Sequence, residues 1–370
     1  MKIRAAIVQQ AGEPWDVTDV ELDPPKDDEV LVEIAASGLC HSDEHYRAGD
    51  TTPRLPLIGG HEGAGRVLET GRAVTSVEQG DHIILATIPC CGKCRWCLTG
   101  KAYLCDKGAY AQLGKSYDGT YRQHLNGADL GKYVQLGSHA THAVVNQMQI
   151  FKIDKWVPLE AAALIGCGVT TGWGASVNVA QVEVGENVVV VGVGGVGVSA
   201  VQGARNCGAG TIVAVDPFQF RRDAATSTFG ATHSAASVAD ALELVADLTY
   251  GVMADKVIIC VGLLHGKDLH EMTRLVSKAG RVVVTSVAPA AETTVELGLF
   301  EFAMSGKELV GHVFGRGVGV RDYNRLLGLY RSGELLLDEM ITKRYSLSRI
   351  NEGYGDMLEG RTIRGLISFA

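Results

Sequence analysis

No run of about 18 apolar residues occurs in the chain, so the sequence offers no helix to span a bilayer. Runs of lysine or arginine are also missing. The formal net charge is −8, the wrong sign for a surface that grips nucleic acid. The start, MKIRAAIVQQAGEPW, lacks the apolar core of a secretory signal, and the chain reads as cytoplasmic. Internal repeats and low-complexity tracts are absent. What is left is an ordinary globular composition, with 21% charged and 46% hydrophobic residues. At 370 residues the chain exceeds what one core usually serves, so two domains are expected.

What the sequence does hold is cysteine. Nine thiols in a chain of this type point to metal or catalysis rather than disulfides. Cys91, Cys94, Cys97 and Cys105 form a C-x2-C-x2-C-x7-C set. Four thiolates at short spacing suit tetrahedral zinc in a closed, structural site. Cys90 directly precedes the set but has no matching partner spacing, so it is left out. A second set is dispersed: Cys40 in GLCHSDEH, His61 in GGHEGAG and Cys167 in IGCGVTTG. A lone cysteine is more often a small core residue than a ligand. Together the three would supply two thiolates and one imidazole, leaving a fourth position open for an alcohol oxygen.

The pattern of elements changes along the chain. To about residue 155 it is β-rich, with short β-branched runs at 29–38, 63–71 and 81–88. Residues 105–140, rich in Gly, Tyr and polar side chains, read as loop. VPLEAAALIGCGVTTGWGASV, from residue 157, reads as a helix, a glycine break and a second helix. Strict alternation follows. ENVVVVG, TIVAVD, DKVIICVG and RVVVTSVA are strands, separated by the helices GGVGVSAVQGARNCG, RRDAATSTFGA, DALELVADLT and LHEMTRLVSKAG. Strand and helix in turn predict a parallel sheet with right-handed crossovers.

VVVVGVGGVGVSAVQGARNCGAGTIVAVD carries the dinucleotide fingerprint. In it Gly192, Gly194 and Gly197 form G-x-G-x-x-G, with Gly195 in the same loop. The first glycine allows the tight turn, the second lets backbone approach a pyrophosphate, and the third lets helix pack on strand. The pyrophosphate would sit at the helix N-terminus. Asp216 follows 19 residues after Gly197 at the end of the next strand, where it can accept from ribose hydroxyls and repel a 2′-phosphate. That favours NAD over NADP, and the nearby Arg221 and Arg222 soften the preference.

Taken in order, GLCHSDEH, GGHEGAG, CGKCRWC-x7-C, GCGVTTGWG, VGVGGVG and TIRGLISF resemble the zinc-dependent medium-chain alcohol dehydrogenases over essentially the whole chain. The resemblance implies an α/β protein. A GroES-like β-rich catalytic domain (1–168, completed by 312–370) would be joined to a doubly wound Rossmann NAD domain (169–311). It implies Cys40, His61 and Cys167 as catalytic zinc ligands, with Glu62 as an acid able to approach the metal. It also implies a Ser42-to-His45 proton relay and Asp43 orienting His61. His41 and Arg364 would lie near the pyrophosphate, and Thr171 against the nicotinamide. Histidine at 41 should hold the cofactor less strongly than arginine.

GCGVTTGWG, LTYGVMADKVIICVG and YGDMLEGRTIRGLISF further resemble the nitrosodimethylaniline-dependent, mycofactocin-associated alcohol dehydrogenases. These hold NAD without exchange and pass electrons to another acceptor. GSHATHAVV at 137–145, with Ser138, His139 and His142, departs from the aromatic pattern usual there. The expectation is a homo-oligomer, dimer or tetramer, acting on a primary alcohol or aldehyde. Trp173 is expected to narrow the substrate pocket. The alternative is a thiol-dependent formaldehyde dehydrogenase, which shares the zinc sites and histidine at 41. A non-catalytic relative would have lost zinc ligands or the relay serine, and all are present.

Overall fold

The computed structural model describes residues 1–51 and 54–369. Three sheets organise it. Lys2–Val8, Asp16–Leu22, Gln123–Leu125, Ala128–Lys132 and Leu57–Ile58 close into a small barrel. A seven-stranded sheet runs Ile150–Ile153, His82–Leu85, Gly63–Thr70, Glu29–Gly38, Arg364–Ser368, Ile341–Tyr345, with His142–Asn146 also paired to Glu29–Gly38. The C-terminal segment thus completes the sheet begun by the N-terminal one, with Leu366 opposite Gly38.

The third sheet is six-stranded and parallel. Its order is His233–Ala235, Thr211–Val215, Asn187–Val191, Ala254–Ile259, Val276–Val284, Glu308–Gly311. Both faces are covered, which explains its near-continuous valine and isoleucine runs. Val188, Val190, Ile212, Ala214 and Ile258 enter one core, while Val189, Val191, Val213, Val215, Val257 and Ile259 enter the other. The chain reverses strand order between Asn187–Val191 and Ala254–Ile259, and that switch point is where such sheets bind ligands.

Several expectations are corrected. Residues 105–140 are not all loop. Gln123–Leu125 and Ala128–Lys132 form a hairpin through Asn126 (φ 52°) and Gly127 (φ 78°) that helps close the barrel. An Asn-Gly pair with both φ positive is the strongest short hairpin signal a sequence carries. LHEMTRLVSKAG is helical only over Leu269–Arg274, and its second half already belongs to the strand Val276–Val284.

The glycine break near Cys167 does not exist. Helix runs from 159 to 180, α-helical at Leu159–Leu164 and Thr170–Gly174 and π-helical at Ile165–Val169 and Ala175–Ala180. Its glycines permit close approach instead. A β-carbon on Gly166 would stand 2.5 Å from Leu85 O, and one on Gly172 would collide with Val196 O. The boundary expected between 168 and 169 falls inside this helix, so one helix is shared by the two units.

Candidate active site

The glycine loop lies directly beyond the strand Asn187–Val191. Gly192 has φ 86°, and a β-carbon there would meet the Cys260 backbone at 2.8 Å, so only glycine serves. A β-carbon on Gly197 would collide with the carbonyl of Gly192, which is the close helix–strand packing expected of the third glycine. Gly194 faces open space bounded by Arg221. Gly195 is covered by the Arg364 side chain.

A cavity of about 320 Å³ opens here between the sheets. Gly192, Gly194, Gly195, Asp216 and Arg221 line it from one side, and Cys40, His41, Ser42, His45 and Arg364 from the other. Asp216 accepts from Val193 N (2.9 Å) and Phe218 N (3.0 Å), which fixes its carboxylate at the rim. Arg221 donates to the carbonyls of Thr362 (3.2 Å) and Met357 (2.9 Å), tying the Rossmann side to the C-terminal segment. Arg222 instead donates to the Asp216 and Pro217 carbonyls. Burial is the main cause that pushes the His41 imidazole down to about 4, so it is uncharged near neutral pH.

At the cavity wall, which Cys40 lines, Cys40, His61, Glu62 and Cys167 present donor atoms all within 4.8 Å of one another. The local folding explains the convergence. Cys40 caps the helix His41–Ala48, His61 precedes the strand Gly63–Thr70, and Cys167 sits in the π-helical turn. Such turns recur at functional sites because they re-aim side chains.

His61 turns Nδ1 to Asp43 Oδ2 at 2.9 Å, leaving Nε2 for a metal. Asp43 is itself fixed by the N–H of Gly60 at 2.7 Å. The Cys167 thiol is the main cause holding Cys40 well below the usual thiol range, while Cys167 is pushed up in return. Two touching thiols cannot both ionise unless a cation lies between them, so two sulfurs, one imidazole and an open side fit catalytic zinc. Glu62 accepts from Gly168 N (2.9 Å) and is ion-paired with Arg364. The guanidinium expected at the pyrophosphate is therefore also bound to the acid of the metal site.

The second group behaves alike. The sulfurs of Cys91, Cys94, Cys97 and Cys105 lie within 4.8 Å of one another. Backbone N–H groups, chiefly that of Cys97, bring Cys94 down to about 6, whereas burial pushes Cys97 and Cys105 up. This closed sulfur quartet fits structural zinc. Cys90, outside the quartet, is exposed, with Sγ 4.0 Å from that of Cys97.

Ser42 and His45 both face the cavity from the helix His41–Ala48, with Ser42 Oγ 3.8 Å from Cys40 Sγ. His45 Nε2 meets Gly262 O at 2.9 Å across the cleft, and Nδ1 meets Asp50 Oδ2 at 2.8 Å. Asp50 escaped the sequence reading, although Gly49-Asp50 after a helical histidine was its signal. Thr171 does not line the cavity but lies beside Cys167, within hydrogen-bonding reach of its thiol. Trp173 does not narrow the pocket. It is buried away from the cavity, with Nε1 donating to Asn206 Oδ1 at 3.0 Å and Arg325 over its ring.

The chain matches the alcohol dehydrogenase GroES-like domain over residues 26–155 and the zinc-binding dehydrogenase family over 195–332. It is 44% identical over 367 residues to the NDMA-dependent alcohol dehydrogenase of Amycolatopsis methanolica, covering 99% of each chain. It is 35% identical to the S-(hydroxymethyl)glutathione dehydrogenase of Paracoccus denitrificans, covering 100% of each. The crystal structure of benzyl alcohol dehydrogenase from Acinetobacter calcoaceticus is similar with a TM-score of 0.92 at 29% identity, both chains covered in full. With that end-to-end likeness and both domain families matched in order, the chain belongs to the zinc-dependent medium-chain alcohol dehydrogenases, enzymes that use zinc and NAD.

Proposed function

We propose that the protein oxidises primary alcohols to aldehydes with an NAD that stays bound through turnover, its electrons leaving through an external acceptor of the mycofactocin type. The observation that carries this reading is that hydrogen bonds cross the cofactor cleft at two places. Arg221 reaches the carbonyls of Met357 and Thr362 at one place, and His45 reaches Gly262 O at another. We read these crossings as slowing the exchange of a dinucleotide held in the cleft. The 44% identical relative named for NDMA dependence supports the same reading.

Bound zinc supplies Lewis acidity toward an alcohol oxygen, and bound NAD supplies the hydride acceptor. The chain does the rest. Cys40, His61 and Cys167 would hold the metal, and Asp43 fixes the imidazole of His61 through Nδ1. Ser42 Oγ takes the hydroxyl proton and His45 carries it outward. Gly192, Gly194, Gly195, Asp216, Arg221 and Arg364 would hold the dinucleotide, with neutral His41 beside the pyrophosphate. We place the catalytic unit at 1–168 with 312–370 and the NAD unit at 169–311, joined through the helix at 159–180.

We also place the protein in the cytoplasm, where thiol sets stay reduced. Assembly with further copies of itself is supported at the strand Glu308–Gly311, the last of the parallel sheet, beside exposed Leu299, Phe300 and Met304.

The test is oxidation of a short primary alcohol by purified protein with NAD alone and with nitrosodimethylaniline alone. Turnover with only the artificial acceptor is expected. Turnover with NAD alone would mean an exchanging cofactor. Formaldehyde oxidation that required an added thiol would move the protein to the alternative class.

A further inference from the structure

We propose that Asp50 is the outward end of the proton path, the carboxylate that takes the proton from His45 and hands it to water. The inference rests on the relay reading of Ser42 and His45 given above. Its basis is a turn. The helix His41–Ala48 ends at Gly49, whose φ of 88° is left-handed and adopted most readily by glycine. That reversal folds Asp50 back over the last helical turn. Its N–H donates to His45 O (3.0 Å), its carbonyl accepts from Ala290 N across the cleft (3.1 Å), and its carboxylate lies 2.8 Å from His45 Nδ1. The residue is thus fixed from three sides with its acid aimed at one ring nitrogen.

Exposure gives the direction. The His45 side chain is 5% exposed and that of Asp50 is 32%, so Asp50 alone of the pair reaches bulk water. Around them, Glu44 and Arg47 are paired with each other, and the His41 ring lies 6.2 Å from that of His45. From the Rossmann side, the groups that meet the pair are backbone, Gly262 O and Ala290 N. Gly262 O can only accept, so Nε2 carries a hydrogen here, and the hydrogen between Nδ1 and Oδ2 is the mobile one.

In the step itself, the Nδ1–H tautomer, with Nε2 bare and released from Gly262 O, accepts a proton at Nε2 from the cleft; the bond to Gly262 O is that of the ring once Nε2 carries its hydrogen. The N–H bond at Nδ1 breaks, an O–H bond forms at Asp50 Oδ2, and that proton passes to water. The imidazole is left neutral with its hydrogen on Nε2, and exchange with water restores the Nδ1–H tautomer. No electrons move.

The experiment uses the zinc-loaded, NAD-bound enzyme mixed with a short primary alcohol, reading the rate at which bound nicotinamide is reduced. Asp50→Asn keeps the shape but not the basicity. It should slow reduction about tenfold in dilute buffer, less than the roughly 10²–10⁴-fold of a group that meets the reacting atoms directly. Concentrated imidazole buffer should restore the rate, and Asp50→Glu should retain most of it. In the cofactor-free protein, proton NMR of nitrogen-labelled histidine should show a strongly downfield Nδ1–H on His45 that Asp50→Ala abolishes. A slow Asp50→Asn enzyme that buffer does not rescue would overturn the proposal, leaving Asp50 a merely structural residue. A wild-type rate in Asp50→Asn beside a slow His45→Gln would overturn it while sparing the relay. Wild-type rates in both would overturn the relay as well.

Discussion

The side chain of Arg364 lies across Gly195, where a β-carbon would collide with Arg364 Cδ. Beyond that crossing the guanidinium is ion-paired with Glu62, so one arginine links the glycine loop to the acid of the metal site. Gly195→Ala should push Arg364 out of this position. Overpacking of this kind costs about 1–3 kcal/mol. NAD retained after gel filtration should fall by roughly tenfold, a loss of about 1.4 kcal/mol of binding free energy, with both metals kept. Undiminished NAD retention would show that Arg364 is not needed at the cofactor.

The cysteines separate by metal content. Cys40→Ala should lose one zinc per chain and all alcohol oxidation while keeping the quartet's metal. Cys97→Ser should lose the other zinc, and Cys90→Ser should lose neither, since Cys90 stands outside the quartet. Elemental analysis of the purified variants decides this. A fully active Cys40→Ala enzyme would show the ligand set to be wrong.

His139 makes the stability pH-dependent. Burial is the main cause that pushes its imidazole down to about 4 from 6.5, and Ser37 and Tyr354 hydroxyls meet its two nitrogens at 2.9 Å each. Because the folded value lies below the unfolded one, the unfolded chain takes up a proton first as pH falls. The contribution is therefore complete above pH 6.5 and is lost between 6.5 and about 4, at about 1.4 kcal/mol per unit. Melting temperature should drop from pH 7 to pH 5, and His139→Gln should flatten that slope. Identical slopes in the two proteins would exclude His139 as the source.

Trp173→Ala removes a fully buried ring from the core beside the helix Gly195–Asn206. A loss of about 3–5 kcal/mol of stability is expected. Relative rates across primary alcohols of increasing length should not change, because the ring does not line the cavity. A changed chain-length preference would place the substrate elsewhere.

Chemistry was more legible in the sequence than direction. The cysteine quartet and the glycine loop are local motifs, and spacing alone brings their atoms together. Cys40, His61 and Cys167 could be grouped by ligand chemistry, but spacing could not join them, and the family likeness made them one site. The glycines around Cys167 misled because glycine breaks a helix and also lets a helix approach its neighbours, and Gly166 and Gly172 serve the second use. Trp173 is near Cys167 in sequence, yet helical rotation turns it from the cleft. Asn126-Gly127 was readable as a hairpin and was submerged in a polar stretch. Asp50 was marked only by Gly49 before it, a residue that commonly ends a helix in a left-handed turn, and no spacing rule aims the acid at His45.

The strand Arg364–Ser368 lies between Glu29–Gly38 and Ile341–Tyr345. On a ribosome, the Ala36–Gly38 end of Glu29–Gly38 must therefore wait bare until the whole parallel-sheet unit has been synthesised, although Glu29–Glu33 can already pair with His142–Asn146. Bare edges recruit other strands. A nascent chain stalled before residue 364 should thus be a client for chaperones. It would also lack Arg364, so neither the metal-site ion pair nor that side of the cofactor cleft could form until the sheet is closed.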